Sequence, residues 1–224
     1  MRNAEKDAAE MSAKRELMLK TGFRIFSEQV IEAVSMQDVA KECNLGIATL
    51  YRYFATKLEF VIAIASQKWQ EYYFEVEELY KKLDGENMNA AQEFEFYLDS
   101  YIRLYRNHKD ILRFNKNFDS YIRHESATPE QMQPYNEAIN VFTKKFHTIF
   151  IKAEKDGTLR IDIPEEKLFL SLTYIMFPVI SKCAEGFVYL GENITDMSED
   201  LIALKNMILN QYLTEKGKNF CHEI

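Results

Sequence analysis

Little in this chain breaks a helix. Its 224 residues include only seven glycines and four prolines, and long stretches repeat their apolar residues at helical spacing. Together these favour an all-α fold. Cysteine is scarce: Cys43, Cys183 and Cys221 lie far apart, with no CxxC pair or Cys/His cluster. That argues against a zinc site and a disulfide framework, and it suits a soluble protein of a reducing, cytoplasmic compartment. The four histidines, His108, His124, His147 and His222, have no metal-ligand spacing, so no metal is expected. No apolar signal region opens the chain. The longest apolar run, Leu168 to Ile180, is interrupted by Ser171, Thr173 and Pro178 and is too short for a membrane span. No G-x-S-x-G, P-loop, HExxH or dinucleotide fingerprint occurs, so neither an enzyme nor a cofactor is expected.

The net charge of −7 argues at first against a nucleic-acid partner. Its distribution matters more than its sum. Residues 1–60 hold nine basic and nine acidic residues, and the acidic excess lies entirely in residues 61–224. A neutral module binds DNA when its cations face one way, because phosphates respond to local charge.

The periodicities divide the chain into about nine helices. A first helix is expected from about Ala13 to Gln29, after a frayed polar stretch. Ser35 fits the N-cap of a second, with Asp38 at the acid position of a capping box. That helix ends near Cys43, and Asn44 tolerates the left-handed conformation of a helix stop. A third runs from about Ile47 to Phe54. Lys57 opens a long apolar stripe that ends at Asp84-Gly85. Further helices follow, one opened by Thr128-Pro129 and closed by Asp156-Gly157. The last two run from Pro164 to about Tyr189 and from Ser198 to about Lys216. A small N-terminal domain, residues 1–56, and a larger one, residues 57–224, are the expected organisation.

The stretch SMQDVAKECNLGIATLYRYFATK, Ser35 to Lys57, carries the functional signal. Two short helices joined by a tight turn suit a helix-turn-helix. Ala40 is small enough for the helix crossing, Leu45 fills the turn, and Leu50 and Phe54 anchor the second helix. Ala48, Thr49, Tyr51, Arg52 and Tyr53 remain for the groove or its rims. Arg52 can donate two hydrogen bonds to guanine O6 and N7, and Thr49 can meet a base edge or a thymine methyl. Tyrosine hydroxyls suit phosphate oxygens, which position without specifying. Lys57, in the first turn of the long helix, can meet a phosphate beside free backbone N–H groups. Read singly, Tyr51 and Tyr53 could equally be packing residues, and Arg52 could pair with an acid.

Phe23, Ile25-Phe26, Val39-Ala40, Leu45, Ala48 to Phe54 and Lys57 resemble the DNA-binding region of TetR-family transcriptional regulators over about residues 14–62. GTLRIDIP, Gly157 to Pro164, resembles that family's approach to its penultimate long helix. The resemblance implies a dimeric repressor that a small-molecule effector, bound in the C-terminal domain, releases from a palindromic DNA operator. Ser35 and Gly46 are counted with the expected DNA-binding residues, Gly46 at a position where the family's capping hydroxyl contacts phosphate. Here Asn44 stands in place of a common Gly, and Gly46 in place of a capping Ser or Thr. An alternative reading is a helical small-molecule-binding protein without operator recognition.

For the effector, candidate rings are Tyr97, Tyr101, Phe114, Phe118, Tyr121, Phe142, Phe146, Tyr174 and Phe177. Each either packs a core or lines a cavity, and periodicity does not separate the two. Pro178 removes a helical hydrogen bond to the Tyr174 carbonyl and is expected to kink its helix. Asp99, among the rings, either favours a flat cation or is simply solvated. In the last helix Leu201, Leu204, Ile208 and Tyr212 form one apolar stripe, and Ile202, Leu209 and Leu213 a second. The helix beginning at Pro164 is likewise apolar on most sides between Leu168 and Ile180, and the excess on these two adjacent helices points to a homodimer joined as a four-helix bundle, against the plainer reading that both helices are buried in one subunit.

Overall fold

The computed structural model describes residues 4–186 and 196–221. Ten α-helices occur among them: α1 Ala4–Glu28, α2 Met36–Glu42, α3 Ile47–Tyr53, α4 Lys57–Lys82, α5 Ala90–Asn107, α6 Lys109–Glu125, α7 Pro129–Asp156, α8 Glu165–Glu185, α9 Ser198–Tyr212 and α10 Glu215–Lys218. The all-α expectation holds.

The helix ends differ from expectation in three places. α1 begins at Ala4 rather than near Ala13. Residues 4–14 are rich in Ala, Glu and Lys and contain no breaker, so high propensity continues the helix where the apolar stripe is missing. The described part of α8 closes at Glu185, running unbroken through Pro178; the expected end near Tyr189 lies outside the described residues. α9 stops at Tyr212 instead of about Lys216, because Leu213 turns extended and forms an antiparallel bridge with Leu159. Thr214 then caps the single turn of α10, accepting from the Gly217 N–H at 3.1 Å.

The described residues form two compact units that do not follow chain order. Unit 1 joins residues up to 70 with 113–138, and unit 2 joins 71–112 with 139 onward. Helix periodicity cannot foresee this interleaving.

In unit 1, α1 packs on α2 and α2 on α3. Phe60 of α4 holds the group together, its ring centre 6.0 Å from that of Phe26 and 4.8 Å from that of Phe54. Leu50, Phe54 and Phe60 are almost wholly buried, each contributing about 2–3 kcal/mol of transfer free energy. Gly22 allows the close approach of α1: a Cβ there would stand 2.5 Å from Phe60 Cζ. Later residues complete this unit. Phe114 lies 5.4 Å from Phe23, and the Asn117 amide donates to the carbonyls of Phe26 and Gln29 at the C-terminal end of α1.

In unit 2, α5 packs against α8 and α9 around Phe94, Tyr97, Phe146, Leu172, Met176 and Leu209. The start of α5 is capped twice. Asn89 and Gln92 form a capping box. Asp156 Oδ2 and Thr158 Oγ1, from the segment after α7, accept from the N–H groups of Ala90 and Ala91 at 2.8 and 3.0 Å. Those bonds hold the Asp156 carboxyl below its usual range, although burial acts the other way.

Candidate nucleic-acid interface

α2 begins with the expected capping box. Ser35 Oγ accepts from the Asp38 N–H at 3.2 Å, and Asp38 Oδ2 accepts from the Ser35 N–H at 2.9 Å. The Ser35 hydroxyl also donates to Asp38 Oδ2 at 2.6 Å. These bonds hold the Asp38 carboxyl below its usual range. Both donors of Ser35 are thus committed to a carboxylate, so in this conformation Ser35 serves the helix start and has no proton left for a phosphate.

α2 ends in a Schellman motif. The Leu45 N–H donates to the Ala40 carbonyl at 2.9 Å and the Asn44 N–H to the Lys41 carbonyl at 3.0 Å, with Asn44 left-handed at φ 54°. Asn thus does the work of the missing glycine. α3 then starts at Gly46, whose φ of −71° needs no glycine and which offers no side-chain cap. A seven-residue helix without a cap is not stable by itself. Buried Leu50 and Phe54 hold it instead.

That anchoring turns one face of α3 outward. Ala48 and Arg52 are exposed, and Tyr51 is 49% exposed. Ile47 shares this face at 37% exposure. Ile47 is not among the expected contacts, although its spacing of four from Tyr51 is the signal that places it there. An exposed Ile beside Ala48 is suited to a thymine methyl. Thr49 is half-buried. The Arg52 guanidinium lies 5.7 Å from the centre of the Tyr53 ring.

Two of the expected phosphate contacts point elsewhere. The Tyr53 hydroxyl is buried and has no hydrogen-bond partner among the described residues. Lys57 Nζ donates to the Ile31 carbonyl at 2.6 Å and stands 5.2 Å from the Tyr121 ring centre. Burial lowers the Lys57 pKa, against the pull of Glu32 and Glu125. Spacing along the chain placed both residues near the groove; for Lys57, partners far off in sequence take its ammonium.

Residues 18–64 match the model for bacterial regulatory proteins of the tetR family. Over that stretch the chain is similar to TetR-family regulators. YuxN of Bacillus subtilis (strain 168), an uncharacterized HTH-type transcriptional regulator, is 23% identical over 154 residues, which make up 67% of this chain and 46% of YuxN. The chain therefore spans about half the length of that relative. Two solved structures share the fold. The ketosteroid transcriptional regulator KstR2 of Mycobacterium tuberculosis matches with a TM-score of 0.62 at 13% identity, over 90% of this chain and 95% of that one. The transcriptional regulator FadR of Bacillus subtilis, in complex with stearoyl-CoA, matches with 0.60 at 17%, over 87% and 95%.

The candidate effector rings are not brought together. Phe114, Phe118 and Tyr121 belong to unit 1, where the Phe118 ring lies tilted 4.8 Å from that of Tyr135 and burial pushes the Tyr121 hydroxyl up to about 12. Tyr97, Tyr101, Phe142, Phe146, Tyr174 and Phe177 belong to unit 2. Tyr174 is 72% exposed, and Phe146 is packed into the core. The hydroxyls of Tyr97 and Tyr101 meet at 2.9 Å, and that of Tyr101 reaches Thr173 Oγ1 at 3.4 Å. Small spaces of about 20 and 10 Å³ remain beside Tyr97 with Phe142 and beside Phe146. Asp99 neither joins the rings nor stands alone in water: it pairs with Lys205 Nζ at 2.8 Å, and Glu95 shares that ammonium at 3.1 Å.

The last helix spends its apolar surface inside the subunit. Leu201 and Ile208 of the chosen stripe are buried, as are Leu209 and Leu213 of the other, while Leu204 and Tyr212 pack partly against the same core. On α8 and α9 the exposed large apolar side chains are Leu170, Tyr174, Ile175 and Val179 of α8 and Met207 of α9. By length and composition alone α8 is apolar enough to cross a membrane. The helix extends past both ends of the apolar run Leu168–Ile180, which is what that run lacked when read by itself.

Proposed function

We propose that this chain is a cytoplasmic transcriptional regulator, without enzymatic activity, that binds operator DNA as a homodimer and answers to a small molecule held in unit 2. The observation that carries the DNA reading is the outward face of α3. Ile47, Ala48, Tyr51 and Arg52 stand exposed on one side of a helix whose other side is locked by Leu50 and Phe54. A short helix held this way can enter a major groove, with Arg52 on a guanine and the apolar residues against methyl groups. Residues 1–56 supply this reading module, and residues 57–224 the effector and dimer functions.

For the dimer, the exposed face of α8, with Met207 of α9, is the contact surface, and the α9 stripe serves the core. An apolar surface of that kind on a TetR-family protein reads as a subunit contact before it reads as a membrane span. For the effector, Tyr97, Tyr101 and Thr173 offer buried hydroxyls among rings, and the small spaces beside them must widen to admit a ligand. FadR holds stearoyl-CoA in its solved complex, which supports an apolar cavity in this fold.

The test is selection of bound sequences from a random DNA pool, followed by titration at rising salt. The expected result is a two-fold symmetric site with half-sites about 34 Å apart and an affinity that falls steeply with salt. No enriched sequence, or affinity indifferent to salt, would leave the small-molecule-binding protein as the better reading.

A further inference from the structure

In unit 2 an ammonium already sits on an aromatic face. Lys145 Nζ of α7 lies 3.3 Å from the centre of the Tyr80 ring of α4 and 3.4 Å from Glu77 Oε1. A ring face attracts a cation, the more strongly the less water surrounds the pair. The Lys145 and Glu77 side chains are only 23% and 20% exposed. The Lys145 ammonium donates no hydrogen bond among the described residues, so charge and ring alone hold it. Neither force depends on the stem that carries the charge, and another ammonium is held there in the same way.

This seat borders the small space of about 20 Å³ beside Tyr97 and Phe142. Three helices surround it with rings. Tyr73 of α4 and Phe142 of α7 meet edge to face with centres 5.6 Å apart, and Phe96 of α5 stands 5.5 Å from Tyr80. Among the described residues the lining holds two carboxylates, Glu77 and Glu93, and one cation, Lys145. Glu93 is fixed in place: the Tyr80 hydroxyl donates to its Oε1, and Lys152 Nζ stands 3.2 Å from its Oε2. Tyr73, Glu77, Phe96, Phe142 and Lys145 are all half-buried, so the seat is reached from solvent. A space of about 20 Å³ has room for about one water. The Lys145 side chain fills the rest, and its flexible stem lets it leave for water.

We propose that the small molecule held in unit 2 is an organic cation, whose ammonium takes the place of Lys145 between the Tyr80 ring and Glu77 while its apolar body lies against Tyr73, Phe96 and Phe142. This names the ligand class of the unit 2 site and rests on the reading that such a site exists. Lys145 is then a built-in competitor. The apparent affinity is the intrinsic one reduced to the fraction of molecules in which Lys145 has swung out. An anion meets two carboxylates there, and a neutral molecule gains nothing from Glu77 in return for displacing the lysine.

The experiment titrates the full chain by calorimetry with benzyltrimethylammonium, benzyl alcohol and benzoate. Benzyltrimethylammonium is expected to bind saturably and about tenfold more tightly than the other two. Lys145→Met should raise its affinity by about tenfold, as removal of a competitor present about nine-tenths of the time does. Lys145→Gln should act in the same direction. Adding Glu77→Gln to Lys145→Met should take that gain away. The proposal is overturned by absence of saturable binding, by equal binding of benzyl alcohol or benzoate, or by an affinity that both Lys145 variants leave unchanged or lower. The preference among probes in the wild type is a test by itself should a variant not fold. Operator affinity separates the two readings. A bound cation that leaves the affinity for a selected operator unchanged sinks the effector reading and keeps the cation site. Release of the operator by an uncharged molecule, with no cation bound, sinks the cation site and keeps the effector reading.

Discussion

α3 and α9 use their side chains in opposite ways. α3 has seven residues, of which only Leu50 is buried, and its surface is left for a partner. α9 has fifteen, and Leu201, Lys205, Ile208 and Leu209 are all buried within unit 2. The short helix borrows its stability from Phe54 and Phe60 beyond its own end, so it can leave a whole face free. The long helix is itself part of the core, and even its lysine is spent on Glu95 and Asp99. A surface for recognition is therefore found where a helix is held by few anchors, whereas many apolar residues in a helix mark a core.

The sharpest way to break this contrast is Ile208→Glu. A carboxylate at a site only 7% exposed should cost more than about 4 kcal/mol and unfold unit 2 in a denaturant titration. A variant that stays folded but monomeric in sedimentation would return α9 to the interface. The complement is Met207→Glu on the 70%-exposed side of α9. Subunit stability should stay within about 0.5 kcal/mol, while dimer affinity falls by about 2 kcal/mol. Arg52→Ala should cost about 1–3 kcal/mol of operator affinity at unchanged melting temperature. Equal affinity for a selected site would remove Arg52 from the reading face.

Two smaller effects concern helix starts. Asp156→Asn should cost about 1 kcal/mol at neutral pH by weakening the cap on α5. The sign follows from the lowered pKa: the carboxylate stabilises the fold above its unfolded value, and that stability is lost as pH falls through the folded one. Melting curves of mutant and wild type should therefore converge as pH falls below the ordinary carboxylate range. Least of all, Gly46→Ser should add a few tenths of a kcal/mol by supplying the missing cap. The position permits it, since a Cβ there meets nothing within 4 Å. A loss of stability would show that Gly46 is needed for another reason.

Much of unit 1 was legible before any coordinates. The Ser35–Asp38 capping box, the left-handed Asn44 and the buried Leu50 and Phe54 follow from residues within a few positions of one another. Lys57 was misplaced because the Ile31 carbonyl and the Tyr121 ring of α6 decide where it points. The effector rings were read as one group, although those of α6 and those of α5, α7 and α8 lie in different units. Asp99 was read as solvated or ligand-facing because Lys205, its partner, is 106 residues away.

What the sequence by itself determined is the all-helical class, most helix boundaries and the reading stretch, because propensity, caps, breakers and periodicity act over a few residues. The tertiary structure decided which of two apolar stripes is spent on the core, which aromatic residues keep company, and which cations remain free for a phosphate. Those outcomes depend on burial and pairing between segments far apart in the chain, and no local pattern carries that information.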